Sequence, residues 1–216
     1  MYDHQTRSLW SHITGEAVQG ELKGKQLKML AAMPEIAWKT WRRNYPNTKV
    51  LSIQPNPRNS ELRVEERKID VYAGYHASTE TGVSRMKYTD DRLGNKDLVV
   101  GVQLGNQYRA YPFERFKDKL ILNDEIDGVP VLVFHDKQSS ATAVFKRVLD
   151  GKGKSLTFES DKSYFAKDTT GTRWNLITGV ASEGKFKGKT LERLPSFNVY
   201  WFAWARYHPK TTIYEQ

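Results

Sequence analysis

Apolar and polar positions alternate most regularly in the second half of the chain, and a period of two predicts strands. Leu98–Leu104, a Gly105-Asn106 turn and Gln107–Tyr111 read as a hairpin, and Pro112 is placed to start a short helix through Phe116. Leu120–Leu122 and Val129–Phe134 read as strands around an Asp127-Gly128 turn, and Ser155–Phe158 as a further extended segment. Helical spacing shows at two places. Trp38 and Trp41, and again Trp201 and Trp204, stand three residues apart, which sets each pair on one helix face. Pro46 and Pro209 end those helices before β-prone segments at Lys49–Leu51 and Thr212–Tyr214. At this spacing the aromatic run Tyr200, Trp201, Phe202, Trp204 and Tyr207 is expected in a core rather than on a ligand-stacking surface. Ile53–Lys96 is polar, mixed in charge and rich in turn formers; it reads as a connection with one short strand at Ile69–Tyr72.

Laid over itself with a displacement of 164 positions, the chain aligns Thr6–Leu30 with Thr170–Leu194, and 12 of the 25 pairs are identical. Chance gives one or two, so the pattern reads as duplication. Beyond a one-residue shift the correspondence resumes, Trp38 with Trp201, Trp41 with Trp204, Pro46 with Pro209 and Thr48 with Thr211. Each unit is expected to hold a short strand ending in Thr-Gly and a glycine-punctuated turn region. A Lys-Gly-Lys turn then leads into a second strand ending at Leu30 or Leu194, ahead of the tryptophan helix. The expected fold is mainly β (α+β), with two related β-rich repeat lobes, each closed by a short amphipathic helix. A truncated first repeat is expected at 1–52, a connecting segment at 53–96 and a complete second repeat at 97–216. The second unit is preceded by strand-rich sequence and the first by Met1–Gln5 alone. Strands of the first unit would then carry open edges, which invite self-association.

A hydrophobic share of 38% over 216 residues suffices for a buried core. The net charge of +9 admits an anionic partner, but the basic residues are spread without a dense run, and no clear nucleic-acid signal results. No apolar run reaches the ~18 residues of a bilayer span, and polar residues rather than an apolar signal core follow Met1. The chain has no cysteine, which excludes disulfides, thiolate zinc sites and a cysteine nucleophile from it. Among its five histidines no pair stands at metal-ligand spacing; His135-Asp136 is the nearest approach, and no metal or cofactor is expected. Nucleophile-elbow, phosphate-loop and dinucleotide fingerprints are lacking, and the acidic pairs Asp90-Asp91 and Asp124-Glu125 read as turn and surface carboxylates. No catalytic residue is assigned.

The stretches Met1–Trp10, Ile13–Ala17, Ala110-Tyr111-Pro112, Asn123-Asp124 and Trp201–Ala205 together resemble the prokaryotic domain of unknown function 3179 family, over the whole chain apart from Ile53–Tyr88. That resemblance implies an Ala-Tyr-Pro segment, an Asn-Asp segment and a Cys-Pro-x-Cys-like segment ahead of a Tyr-Asp-x-x-Thr-x-Ser-x-Trp motif, with which this chain begins. It implies a thiol or selenol redox chemistry for the family. In the second unit the corresponding positions fall at Asp136 to Ser139, with Asp136 and Ser139 in place of the cysteines; because the chain begins at the last of these motifs, it reads as a C-terminal portion without its reactive segment. Family members often look exported, which implies an extracytoplasmic site for the full-length protein. Where the family pattern recurs, Asp3, Thr6, Trp10, Tyr111, Asn123, Asp124, Asp168, Thr170 and Trp174 are candidate binding residues. Two other readings stand beside the redox one. The first is a small-molecule or anion binding module using Arg109, Arg173, Arg206 and the tryptophans; the second is an extracytoplasmic structural scaffold.

Overall fold

The computed structural model describes residues 1–28, 35–51, 70, 72–82, 90–149 and 153–215. The molecule is mainly β. In chain order the strands are β1 (Tyr2–Asp3), β2 (Ser8–Trp10), β3 (Ala17–Gln19), β4 (Leu98–Leu104), β5 (Gln107–Pro112), β6 (Ile121–Ile126), β7 (Val129–Asp136) and β8 (Ala141–Lys146). They continue with β9 (Phe158–Ser160), β10 (Phe165–Asp168), β11 (Arg173–Asn175), β12 (Ala181–Glu183), β13 (Arg193–Leu194), β14 (Ser196–Tyr200) and β15 (Thr212–Ile213). The helices are α1 (Trp38–Asn44), α2 (Ala73–Ala77), α3 (Phe113–Phe116) and α4 (Trp201–Tyr207).

From residue 98 onward the chain builds a stack of layers whose order follows from strand alternation. Strands β14-β4-β5-β15 form one sheet, β13-β8-β7-β6 a second and β12-β11-β10-β9 a third. In β7, Leu132 and Phe134 pack with Phe158, Ala166 and Trp174 of the third sheet, while Val131 and Val133 pack with Val100, Val102 and Tyr111 of the first. The first sheet's other face carries Val99 and Ala110 against Trp201, Trp204 and Ala205 of α4. The helix approaches closely because Gly101 lies under it, where a Cβ would stand 2.3 Å from the Trp204 ring. The β6–β7 turn runs through Asp127 (φ +50°) and Gly128 (φ +75°), both left-handed, as a two-residue hairpin requires.

The segments 2–27 and 165–191 share most of their turns and bonds. Strands β1-β2-β3 and β10-β11-β12 pair antiparallel, with a register shift at Leu9/Trp10 in one and Arg173/Trp174 in the other. The Ala17 N–H donates to Lys25 O and the Ala181 N–H to Lys189 O, each at 2.9 Å; Gly24 donates to Ala17 and Gly188 to Ala181. Trp41 Nε1 donates to Thr48 Oγ1 at 2.9 Å and Trp204 Nε1 to Thr211 Oγ1 at 2.8 Å.

Several expected boundaries move. The first strands stop at Trp10 and Asn175 rather than at Thr-Gly. Ser11 Oγ accepts the Thr14 N–H and Asn175 Oδ1 accepts that of Ile177, which turns the backbone before the glycine is reached. Lys49–Leu51 is not a strand, whereas its counterpart Thr212–Ile213 runs parallel to β5. Strand β8 was not expected: Ala141-Thr-Ala-Val has small residues on the side that packs inward, which mutes the alternation. The 53–96 connection lies largely outside the described residues, as do Ile69 and Val71 of the expected strand there; Tyr72 precedes the unexpected helix α2.

Candidate functional site

The turn from β7 to β8 is stiffened by its own side chains. Asp136 Oδ1 accepts the Gln138 N–H at 3.1 Å, and Asp136 Oδ2 accepts the hydroxyl of buried Ser139. The Ser139 carbonyl then accepts the Ala37 N–H at 2.8 Å, which fixes the start of α1 on this turn. The far end of α1 is held by Asn175 Nδ2, which donates to Asn44 Oδ1 at 2.7 Å, while Ile36 and Tyr45 pack on the core between the second and third sheets.

Between α1, this turn and the segment from α3 to β6 lies a cleft of about 880 Å³. Its rim is cationic: Lys39 and Arg43 stand one helical turn apart on α1, Lys117 and Lys119 follow α3, and Lys137 tops the turn. Asp118 and Asp136 are the carboxylates facing them. None of the five cations is in an ion pair among the described residues.

At the inner wall stands His135, 4% exposed. Its ring packs on Phe113 with 3.9 Å between centroids and edge-on to Phe116 at 5.3 Å. Its Nδ1 is buried without a hydrogen-bond partner. Burial lowers the pKa of this imidazole below its ordinary value; Asp136 and the Ala141 backbone oppose that, and Lys137 acts with it. The ring is therefore neutral at pH 7, one nitrogen carrying a proton and the other a lone pair. A buried polar atom left unpaired costs about 1–3 kcal/mol, which a bound group able to pair with it would recover.

A family model described as Protein of unknown function (DUF3179) matches residues 1–211. The chain belongs to the DUF3179 family. No curated protein and no solved structure matches it.

In this DUF3179 chain the nine residues singled out by sequence fall into three clusters, none of which lines the cleft. Tyr111 and Asp124 meet: the buried Tyr111 hydroxyl donates to Asp124 Oδ2 at 2.8 Å, and Arg109 Nη1 donates to the same oxygen at 2.7 Å. Burial raises the Tyr111 pKa, with the Asp124 charge adding to the effect, and Arg109 opposes it. Asn123 is spent on the backbone. Its Nδ2 donates to Phe158 O and its Oδ1 accepts the Phe158 N–H, which ties β6 to β9. Asp168 gathers the N–H groups of Thr170 and Thr172, the Thr170 hydroxyl and the Trp174 indole N–H.

In the first unit Asp3 accepts the N–H groups of Gln5 and Thr6 and the Thr6 hydroxyl, and Trp10 is half-buried. Of the expected binding cations, Arg109 pairs with Asp124 and Arg173 with Asp161, while Arg206 lies outside the cleft. The sequence reading missed Lys39, Arg43, Lys117, Lys119 and Lys137, which come from three separated segments. The one sequence signal at the cleft is the His135-Asp136 pair.

Proposed function

We propose that this chain binds a small anionic ligand, an oxyanion or short organic acid, in the cleft between α1 and the Asp136–Ser139 turn. The observation that carries the reading is His135, a residue of the cleft wall whose buried Nδ1 has no hydrogen-bond partner, beneath a rim of five cations that have no ion-pair partner among the described residues. A volume of about 880 Å³ is in the range of small-ligand sites, and a concave wall in which five cations outnumber two carboxylates concentrates anions. The cations hold the charge of the ligand and the imidazole meets a donor or acceptor on it. The turn that resembles a Cys-Pro-x-Cys segment holds Asp136 and Ser139, which bond one another, and offers no group for thiol or selenol chemistry.

The test is isothermal titration with inorganic phosphate, sulfate and succinate, on the chain and on Arg43→Glu and Lys137→Glu. Binding of at least one anion, weakened about tenfold or more by each reversal, is expected, a change of about 1.4 kcal/mol. Binding that ignores both reversals places the anion elsewhere.

The matching bonds of 2–27 and 165–191 also support reading 1–52 and 97–216 as sister units, the first of which supplies the outer layers alone among the described residues.

A further inference from the structure

Lys117 stands in a backbone conformation suited to glycine. The chain leaves α3 through a turn at Phe116–Lys119, closed by the Lys119 N–H, which donates to the Phe116 carbonyl at 2.7 Å. Lys117 is the first central residue of that turn, with φ +47° and ψ −114°. These angles belong to the first central position of a type II′ turn, where a Cβ crowds the backbone and glycine is the usual occupant. Ser163, at φ +55°, lines the same cleft. Strain of this kind persists where the surrounding structure fixes it, and it gathers at binding sites. Here the Leu120 carbonyl accepts the His135 N–H at 2.9 Å, which ties the turn to the strand that carries the cleft's histidine. The side chains of Lys117, Asp118 and Lys119 are all exposed, and all three line the cleft.

The cations of the cleft come from separate walls: Lys39 and Arg43 from α1, Lys117 and Lys119 from the turn after α3, and Lys137 from the β7–β8 turn. Against Asp118 and Asp136 these five leave three positive charges in excess. A ligand with one singly charged group offsets one of the three. Two or three separated groups offset more of the excess and reach more than one wall. We infer, on the anion reading of this cleft, that its ligand carries at least two anionic groups, as a diphosphate or a di- or tricarboxylate does, and that Lys117 is held in its strained turn to meet one of them. At position 117 the residue best for the fold and the residue best for binding therefore differ: glycine relieves the turn, and lysine supplies the charge.

The test is isothermal titration with phosphate, pyrophosphate and citrate at pH 7 and constant ionic strength, on the chain, on Lys117→Gly and on Lys117→Met, with thermal melts of all three proteins free of ligand. Pyrophosphate or citrate is expected to bind at least tenfold more tightly than phosphate, and both substitutions to weaken that ligand fivefold or more. Lys117→Gly is expected to melt a few degrees above the parent chain, and Lys117→Met, which keeps the strain and loses the charge, to melt with it. Pyrophosphate and citrate that bind no more tightly than phosphate overturn the inference and leave the cleft reading in place. So does a Lys117→Gly chain that keeps its affinity or melts below the parent. Binding of none of the three anions removes the cleft reading and the inference with it.

Discussion

Trp174 donates its indole N–H to Asp168 Oδ2 at 2.9 Å, and both residues are buried. The carboxylate thereby pins a core tryptophan with one oxygen and closes the Thr169–Thr172 turn with the other. Asp168→Ala is expected to lower stability by about 3 kcal/mol in urea denaturation, since buried donors lose a charged acceptor. Asp3→Ala opens the equivalent turn on a solvated sheet and should leave the urea midpoint near that of the parent chain.

Gly101 serves the packing of α4. A methyl group at that position would lie 2.3 Å from the ring of Trp204, which is fully buried. Gly101→Ala is expected to cost about 1–3 kcal/mol as overpacking, with a red shift of tryptophan emission as the helix lifts.

Two buried histidines contribute to the fall of stability below pH 6.5. Burial lowers the pKa of His135 and of His208 below 6.5. Above pH 6.5 both are neutral folded and unfolded, and nothing is lost. Below it the unfolded chain takes up protons that the folded chain refuses, so stability falls as pH drops from 6.5 toward the lowered values. His135→Gln is expected to flatten that fall between pH 7 and pH 5 in thermal melts, and a slope unchanged from the parent would remove His135 from the account.

The Tyr111 phenol is buried and its hydroxyl already donates to a carboxylate. Its ionisation should follow that of the exposed tyrosines in an alkaline spectrophotometric titration, because both burial and Asp124 oppose a phenolate. Tyr111→Phe is expected to cost about 1 kcal/mol, Asp124 retaining Arg109.

Strands β4, β5 and β7 of the inner sheets were legible from their apolar patterns, β8 with its small residues was not, and turns such as Asp127-Gly128 declare themselves by backbone need. The tryptophan helices were legible from spacing, but their burial was not. Trp201 and Trp38 occupy equivalent positions, and whether a β layer lies over them is a tertiary fact. The motif residues stand where turns and sheet junctions are made: Asp168 closes a turn, Asn123 joins two strands, Asp124 anchors Arg109. The cleft was not legible. Arg43, Lys119 and Lys137 are distant in sequence, and their meeting depends on the hydrogen bond between Ala37 and Ser139.

The most direct measurement is the ¹⁵N chemical shift of His135 Nδ1 at pH 7 during titration with phosphate, sulfate or succinate, using His135→Gln to assign the signal. The account predicts a saturable shift for at least one of them that is lost in Arg43→Glu. A resonance that stays fixed through all three titrations, or moves identically in the Arg43→Glu chain, would contradict it.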